Sequence, residues 1–291
     1  MTSRIDRRAF LALGVGAAAW ACGRDRSAPA TPTPGALSLT TTAPPEGALG
    51  VGDRRIGFAL FEGQEPVAPS GVRARLLPQG GDPVPVSPKI VEVGFGEGGS
   101  SRSTVEKIFV VQHELTTPGF WSLEVEVDGR RANTAFAVLE DPAAPRIGET
   151  ATSVPSPTTA DAMGVDPICT RTPVCSMHEV TIEQAIADPK PSVLIFATPK
   201  FCESRTCGPV VDVVEQAKAD TGDAATFVHI EVWKSPQAVK QPDGTVDAFA
   251  AYNLGTEPVL YFLDPQGVVR DRWFGAAGAG EISDAVGALS A

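Results

Sequence analysis

Val193-Leu194-Ile195-Phe196-Ala197 and, beyond Thr198-Pro199-Lys200, the run Phe201-Cys202-Glu203-Ser204-Arg205-Thr206-Cys207-Gly208-Pro209 organise the second half of this chain. The first is an uninterrupted apolar run of strand length. The second carries two cysteines with four residues between them, and Val210, Val213, Val214 and Ala217 follow on one helical face. A strand that hands a cysteine to a helix N-terminus sets a sulfur among free backbone N–H groups at the positive end of the helix dipole. Both favour the thiolate.

Around this unit the pattern alternates. Thr181-Ile182-Glu183-Gln184 opens a short helix as a capping box and Asp188-Pro189 ends it. The strand spans 193–198 and the helix after the cysteines runs to about Ala219. Then come a strand Thr226-Phe227-Val228-His229-Ile230-Glu231-Val232 and a helix through Asp247-Ala248-Phe249-Ala250-Ala251-Tyr252. Strands Val259–Leu263 and Val268–Trp273 meet at Asp264-Pro265-Gln266-Gly267, and Glu281–Leu289 forms a last helix. The order β-α-β-α-β-β-α predicts a mixed sheet flanked by helices.

Residues 51–140 differ in kind. Ile56–Phe61, Val72–Leu76, Ile108–Val111, Trp121–Val127 and Thr134–Val138 are short strands separated by Gly, Pro and Asp turns. Leu123, Val125 and Val127 alternate with Glu124 and Glu126, the mark of a sheet with one wet face. The pattern predicts an immunoglobulin-like sandwich. His113 stands alone in it without ligand spacing, so this region is expected to be a spacer or interaction module.

The amino terminus carries an export pattern. Asp6-Arg7-Arg8-Ala9-Phe10-Leu11 leads an apolar, small-residue run to Ala21, matching a twin-arginine signal over residues 1–21. The run is too short for a good membrane span. Ala19-Trp20-Ala21-Cys22 matches a bacterial lipoprotein box in which Cys22 is acylated, so membrane contact is expected through the N-terminal lipid only, at the outer surface of the cell membrane. Residues 22–50, rich in Pro, Thr and Ala, are expected to form a disordered tether, and 141–160 a second linker.

Charge narrows the partners. The full chain is −11, and loss of Arg4, Arg7 and Arg8 with Asp6 takes it to −13. Nucleic acid is excluded, because binding it requires neutralising phosphates. With Cys22 acylated, four cysteines remain, an even number for an oxidising compartment.

On these residues the last 130 or so positions (161–291) resemble the thioredoxin-like superfamily. The strand–cysteine–helix unit matches its first half, and Tyr252-Asn253-Leu254-Gly255-Thr256-Glu257-Pro258-Val259-Leu260-Tyr261-Phe262-Leu263 its second. The resemblance implies a thiol–disulfide oxidoreductase acting on protein disulfides, without cofactor and possessing a membrane redox partner. It implies a cis-proline at Pro258 beside catalytic Cys202 and Cys207, with Arg205, Thr256 and Glu257 as modulators. Cys202 is the chosen nucleophile and Cys207 the resolving thiol. The competing assignment makes Cys207 the nucleophile at the helix start, where Pro209 sits harmlessly in the first turn.

The motif departs from the family, which has two residues between its cysteines. On a regular helix residues five apart lie roughly 8 Å from each other, beyond the about 7 Å a disulfide tolerates between Cα atoms. The segment must therefore unwind. Peroxiredoxin-like peroxidases and Sco-type copper chaperones are rival relatives, the latter disfavoured because His229 falls on a strand; a redox-inactive binding module is a further alternative. Upstream, Cys169-Thr170-Arg171-Thr172-Pro173-Val174-Cys175 is expected to close a structural disulfide. A second redox pair, or a soft-metal set of Cys169, Cys175 and His178, are the alternatives.

Overall fold

The computed structural model describes residues 36–44, 49–93, 105–140, 142, 145–202 and 206–290. The export signal, Cys22 and Arg205 lie outside them. The described residues form one compact unit.

The amino-terminal half is a sandwich of β1 (Leu37–Thr41), β2 (Leu49–Gly50), β3 (Gly52–Glu62), β4 (Glu65–Val67), β5 (Arg73–Pro78), β6 (Val84–Val86), β7 (Lys89–Glu92), β8 (Lys107–Leu115), β9 (Gly119–Val127) and β10 (Arg130–Leu139). One sheet runs β1-β3-β8-β7 with β4 on β3, and the other β2-β10-β9-β5-β6. The alternation read from the sequence holds: Leu123, Val125 and Val127 are buried, while Glu124 and Glu126 pair outside with Arg75 and Arg73, directly opposite in register. Phe58 and Phe109, cross-strand partners, stack at 5.2 Å in the core.

Two expectations are corrected here. Residues 22–50 are not a tether throughout, because Leu37–Thr41 pair antiparallel with β3. Leu37 and Leu39 alternate with polar residues and pack against the core, which an extended linker has no reason to do. The linker expected at 141–160 is likewise fastened from Arg146 onward. Gly148 donates to Val269 O at 2.7 Å, and Ala151 and Ser156 are buried.

The carboxy-terminal half comprises α1 (Ile182–Ala187), β11 (Ser192–Phe196), α2 (Cys207–Thr221), β12 (Thr226–Ile230), α3 (Asp247–Ala251), β13 (Val259–Leu263), β14 (Val269–Phe274) and α4 (Ala279–Leu289). The sheet order is β12-β11-β13-β14, with β11 and β12 parallel and β13 antiparallel to both β11 and β14. All five residues of β11 are buried, as a central strand covered on both faces requires. Val193 and Ile195 pack in the cluster beneath α2 and α4, and Leu194 and Phe196 in the one with Phe249 and Tyr252.

Candidate functional site

Cys202 and Cys207 are joined in a disulfide with Cα atoms 6.0 Å apart. The spacing problem posed by the sequence is solved by where the helix begins. α2 starts at Cys207, so Cys202 belongs to the loop before it and the five-residue offset never has to fit a helix. β11 ends at Phe196, and Thr198 O then accepts from Phe201 N at 3.3 Å and Cys202 N at 3.2 Å, a turn that presents Cys202. Cys202 is partly buried and Cys207 fully buried. Cys207 thus has the helix-start position of the competing assignment, while Cys202 is the less buried of the two.

The Glu257–Pro258 peptide is cis. A Glu257 carboxylate oxygen lies within 4.8 Å of both sulfurs. Glu257 Oε2 accepts from Thr198 N at 2.5 Å and Oε1 from Trp233 Nε1 at 3.3 Å. Burial pushes this carboxyl up to about 7, against the opposing hydrogen bonds from Thr198 and Trp233. A carboxyl poised near neutrality beside two sulfurs can take and return a thiol proton.

Next to the disulfide a cleft of about 470 Å³ runs between the two halves of the chain. Thr206, Pro209, Thr256 and Pro258 form one wall; Phe61 and Ile108 of the sandwich stand on the other. The sandwich therefore contributes to the surroundings of the Cys202–Cys207 disulfide.

The upstream pair is arranged otherwise than expected. Cys169 and Cys175 are buried and unbonded, with sulfurs 3.8 Å apart. His178 is beside them, as is His229, which the sequence reading set aside as badly placed on its strand. All four donor atoms lie within 4.8 Å of one another. A hydrogen bond from Cys175 holds the Cys169 thiol far below its ordinary range, and the same contact with burial drives the Cys175 thiol up. Close by, Glu231 is pushed up to about 7 by burial and accepts from Thr170 N and Oγ1.

His229 was set aside because it falls within the apolar strand β12, away from Cys202 and Cys207 in the chain. The available signal was the strand's period of two, which sends His229 to the same side as Phe227, the face that carries Cys169 and Cys175.

No family model matches the chain, and no curated protein does. Among solved structures, it is similar to the mycobacterial (MTB) DsbF in its mixed oxidized and reduced forms, at 24% identity and TM-score 0.28, over 38% of this chain and 90% of that one. It is also similar to the Lin-41 filamin domain, at 15% identity and TM-score 0.26, over 38% of this chain and 100% of that one. Among the described residues no helix is long and apolar enough to cross a membrane.

Proposed function

We propose that this protein is a thioredoxin-like thiol–disulfide oxidoreductase, exported and held at the outer face of the membrane by a lipid on Cys22, acting on disulfides of other proteins. The observation that carries the reading is the Cys202–Cys207 disulfide with the Glu257 carboxylate within 4.8 Å of both sulfurs. The β12-β11-β13-β14 order and the start of α2 at Cys207 support it.

In the reduced enzyme Cys202, the more exposed sulfur, attacks one sulfur of a substrate disulfide as a thiolate. A mixed disulfide forms and the other substrate sulfur leaves as a thiolate. Cys207 then attacks Cys202, closing the intramolecular bond and releasing the second substrate thiolate. Two electrons pass from the cysteine pair to the substrate, and the same steps in reverse oxidise a dithiol. Glu257 accepts the Cys207 proton and returns it to a leaving sulfur. The N-terminus of α2 stabilises the Cys207 thiolate.

The test is a trap. Cys207→Ser should accumulate mixed disulfides through Cys202, visible by non-reducing mass spectrometry, and Cys202→Ser should not. A variant that captures nothing, together with a pair that resists dithiols, would leave a thioredoxin fold used only as a scaffold. The reduction potential of an active pair should fall in the range of about −200 to −270 mV.

A further inference from the structure

The geometry points to a metal site separate from the redox disulfide: Cys169, Cys175, His178 and His229 form a closed four-ligand centre for one thiophilic d10 ion, zinc(II) or copper(I). Two thiols and two imidazoles converge in the core, each at most 5% exposed. Tetrahedral bonds of about 2.3 Å to sulfur and about 2.0 Å to nitrogen place two sulfurs roughly 3.8 Å apart and a sulfur and nitrogen roughly 3.5 Å apart. Here the sulfurs are 3.8 Å apart, and His229 Nδ1 lies 3.2 Å from Cys175 Sγ and 3.8 Å from Cys169 Sγ. An ion fits among these atoms with displacements of a few tenths of an ångström.

Two further observations favour a metal over a disulfide. His178 is 1% exposed, and neither of its ring nitrogens makes a hydrogen bond. A buried imidazole without partners is rare unless a ligand completes it, and a Cys169–Cys175 bond would leave it unpartnered. His229 Nε2 lies 2.9 Å from Ala197 O. That nitrogen therefore carries the proton and donates, which leaves the Nδ1 lone pair aimed at the sulfurs, the usual outer-shell arrangement of a metal-bound histidine.

The loop is also braced as a ligand loop needs to be. Thr170 is tied to Glu231 next to Cys169, Arg171 pairs with the buried Asp212 of α2, and Ser176 N donates to Glu215. His178 O accepts from Thr159 N at 2.8 Å, and Met177 O from His229 N at 2.8 Å. With all four positions filled by protein and no room for a substrate, the centre is structural, fastening the 169–178 loop to β12. Each thiol bound as thiolate releases its proton.

The test uses the full chain carrying Cys202→Ser and Cys207→Ser, reduced, stripped with a chelator and titrated anaerobically with zinc(II) or copper(I) alone. One equivalent of metal should bind, measured by elemental mass spectrometry, and it should shield Cys169 and Cys175 from alkylation. Cobalt(II) in place of zinc should show the visible bands of tetrahedral thiolate coordination. Adding His178→Gln or Cys169→Ser should weaken binding at least tenfold; if neither folds, the cobalt spectrum and the alkylation pattern decide. Tighter retention of one ion identifies zinc or copper. The absence of stoichiometric uptake, or uptake indifferent to His178 and Cys169, overturns the site. Because the redox cysteines are already removed, that failure is distinct from a failure of the oxidoreductase reading.

Discussion

Arg55 on β3 of the sandwich and Glu281 on α4 form a two-point ion pair, Nε to Oε1 at 2.6 Å and Nη2 to Oε2 at 2.8 Å. Arg55 Nη2 also donates to Ala276 O at 3.1 Å, and its guanidinium lies 4.7 Å from the Trp273 ring centroid. This contact joins the two halves beside the cleft next to the Cys202–Cys207 disulfide.

Removing it should loosen the whole assembly. With the Arg55 side chain 1% and Glu281 20% exposed, Arg55→Ala should cost about 2–3 kcal/mol, somewhat less than for a pair buried on both sides. Thermal unfolding should show a fall of roughly 5–10 °C. An unchanged midpoint would mean that the halves are not energetically coupled through this pair.

Gly278 is the second point of close approach. A Cβ there would sit 2.6 Å from Glu92 O and 2.7 Å from Val91 Cγ1 on β7. Gly278→Ala should destabilise by about 1–3 kcal/mol through overpacking, read as a shift of the urea midpoint without change of slope.

Accessibility should order the cysteines. After reduction, Cys202 should be alkylated at least ten times faster than fully buried Cys207, followed by peptide mass mapping over time. Equal rates would return Cys207 to the nucleophile's role.

Glu257 should imprint a pH dependence on stability. Its carboxyl is raised from 4.5 to about 7 when folded. Below 4.5 both states hold the proton; as pH rises towards 7 only the unfolded state releases it, so stability falls across that window and is fully lost above it. The loss is about 3 kcal/mol in order of magnitude. Glu257→Gln should therefore gain on the wild type from pH 5 to pH 8 in denaturant unfolding, and parallel profiles would sink the assignment.

If the cleft holds substrate chains, Phe61→Ala on its sandwich wall should lower kcat/KM for a protein disulfide about tenfold, a loss of about 1.4 kcal/mol. Turnover of a small disulfide that needs no cleft should stay the same. A parallel fall in both would mean that Phe61 acts on the fold rather than on substrate.

The strands and helices were legible because their signals are local. Thr181 caps α1 with Gln184 in the box its residues spell, and β11 and β13 are buried along their full length, as their apolar runs demand. The alternation of β9 gave its wet and dry faces. The edge strand β1 was hidden by the Pro/Thr-rich residues around it, since five residues of weak alternation become a strand only when β3 is there to pair with them.

Local signals were enough to place Cys202 and Cys207 between a strand and a helix, since strand length and helix period act over a few residues, whereas Pro258 was marked as their neighbour only by the resemblance to the thioredoxin-like superfamily. The partnership of Cys169 and Cys175 with His178 and His229 depended on folding. His229 is 54 residues from Cys175 in sequence, and only the parallel pairing of β12 with β11, together with the loop packed over it, turns its ring towards the sulfurs. The sandwich wall of the cleft has the same origin: no local rule places Phe61 across from Pro258, and burial of Arg55 against Glu281 and Trp273 does.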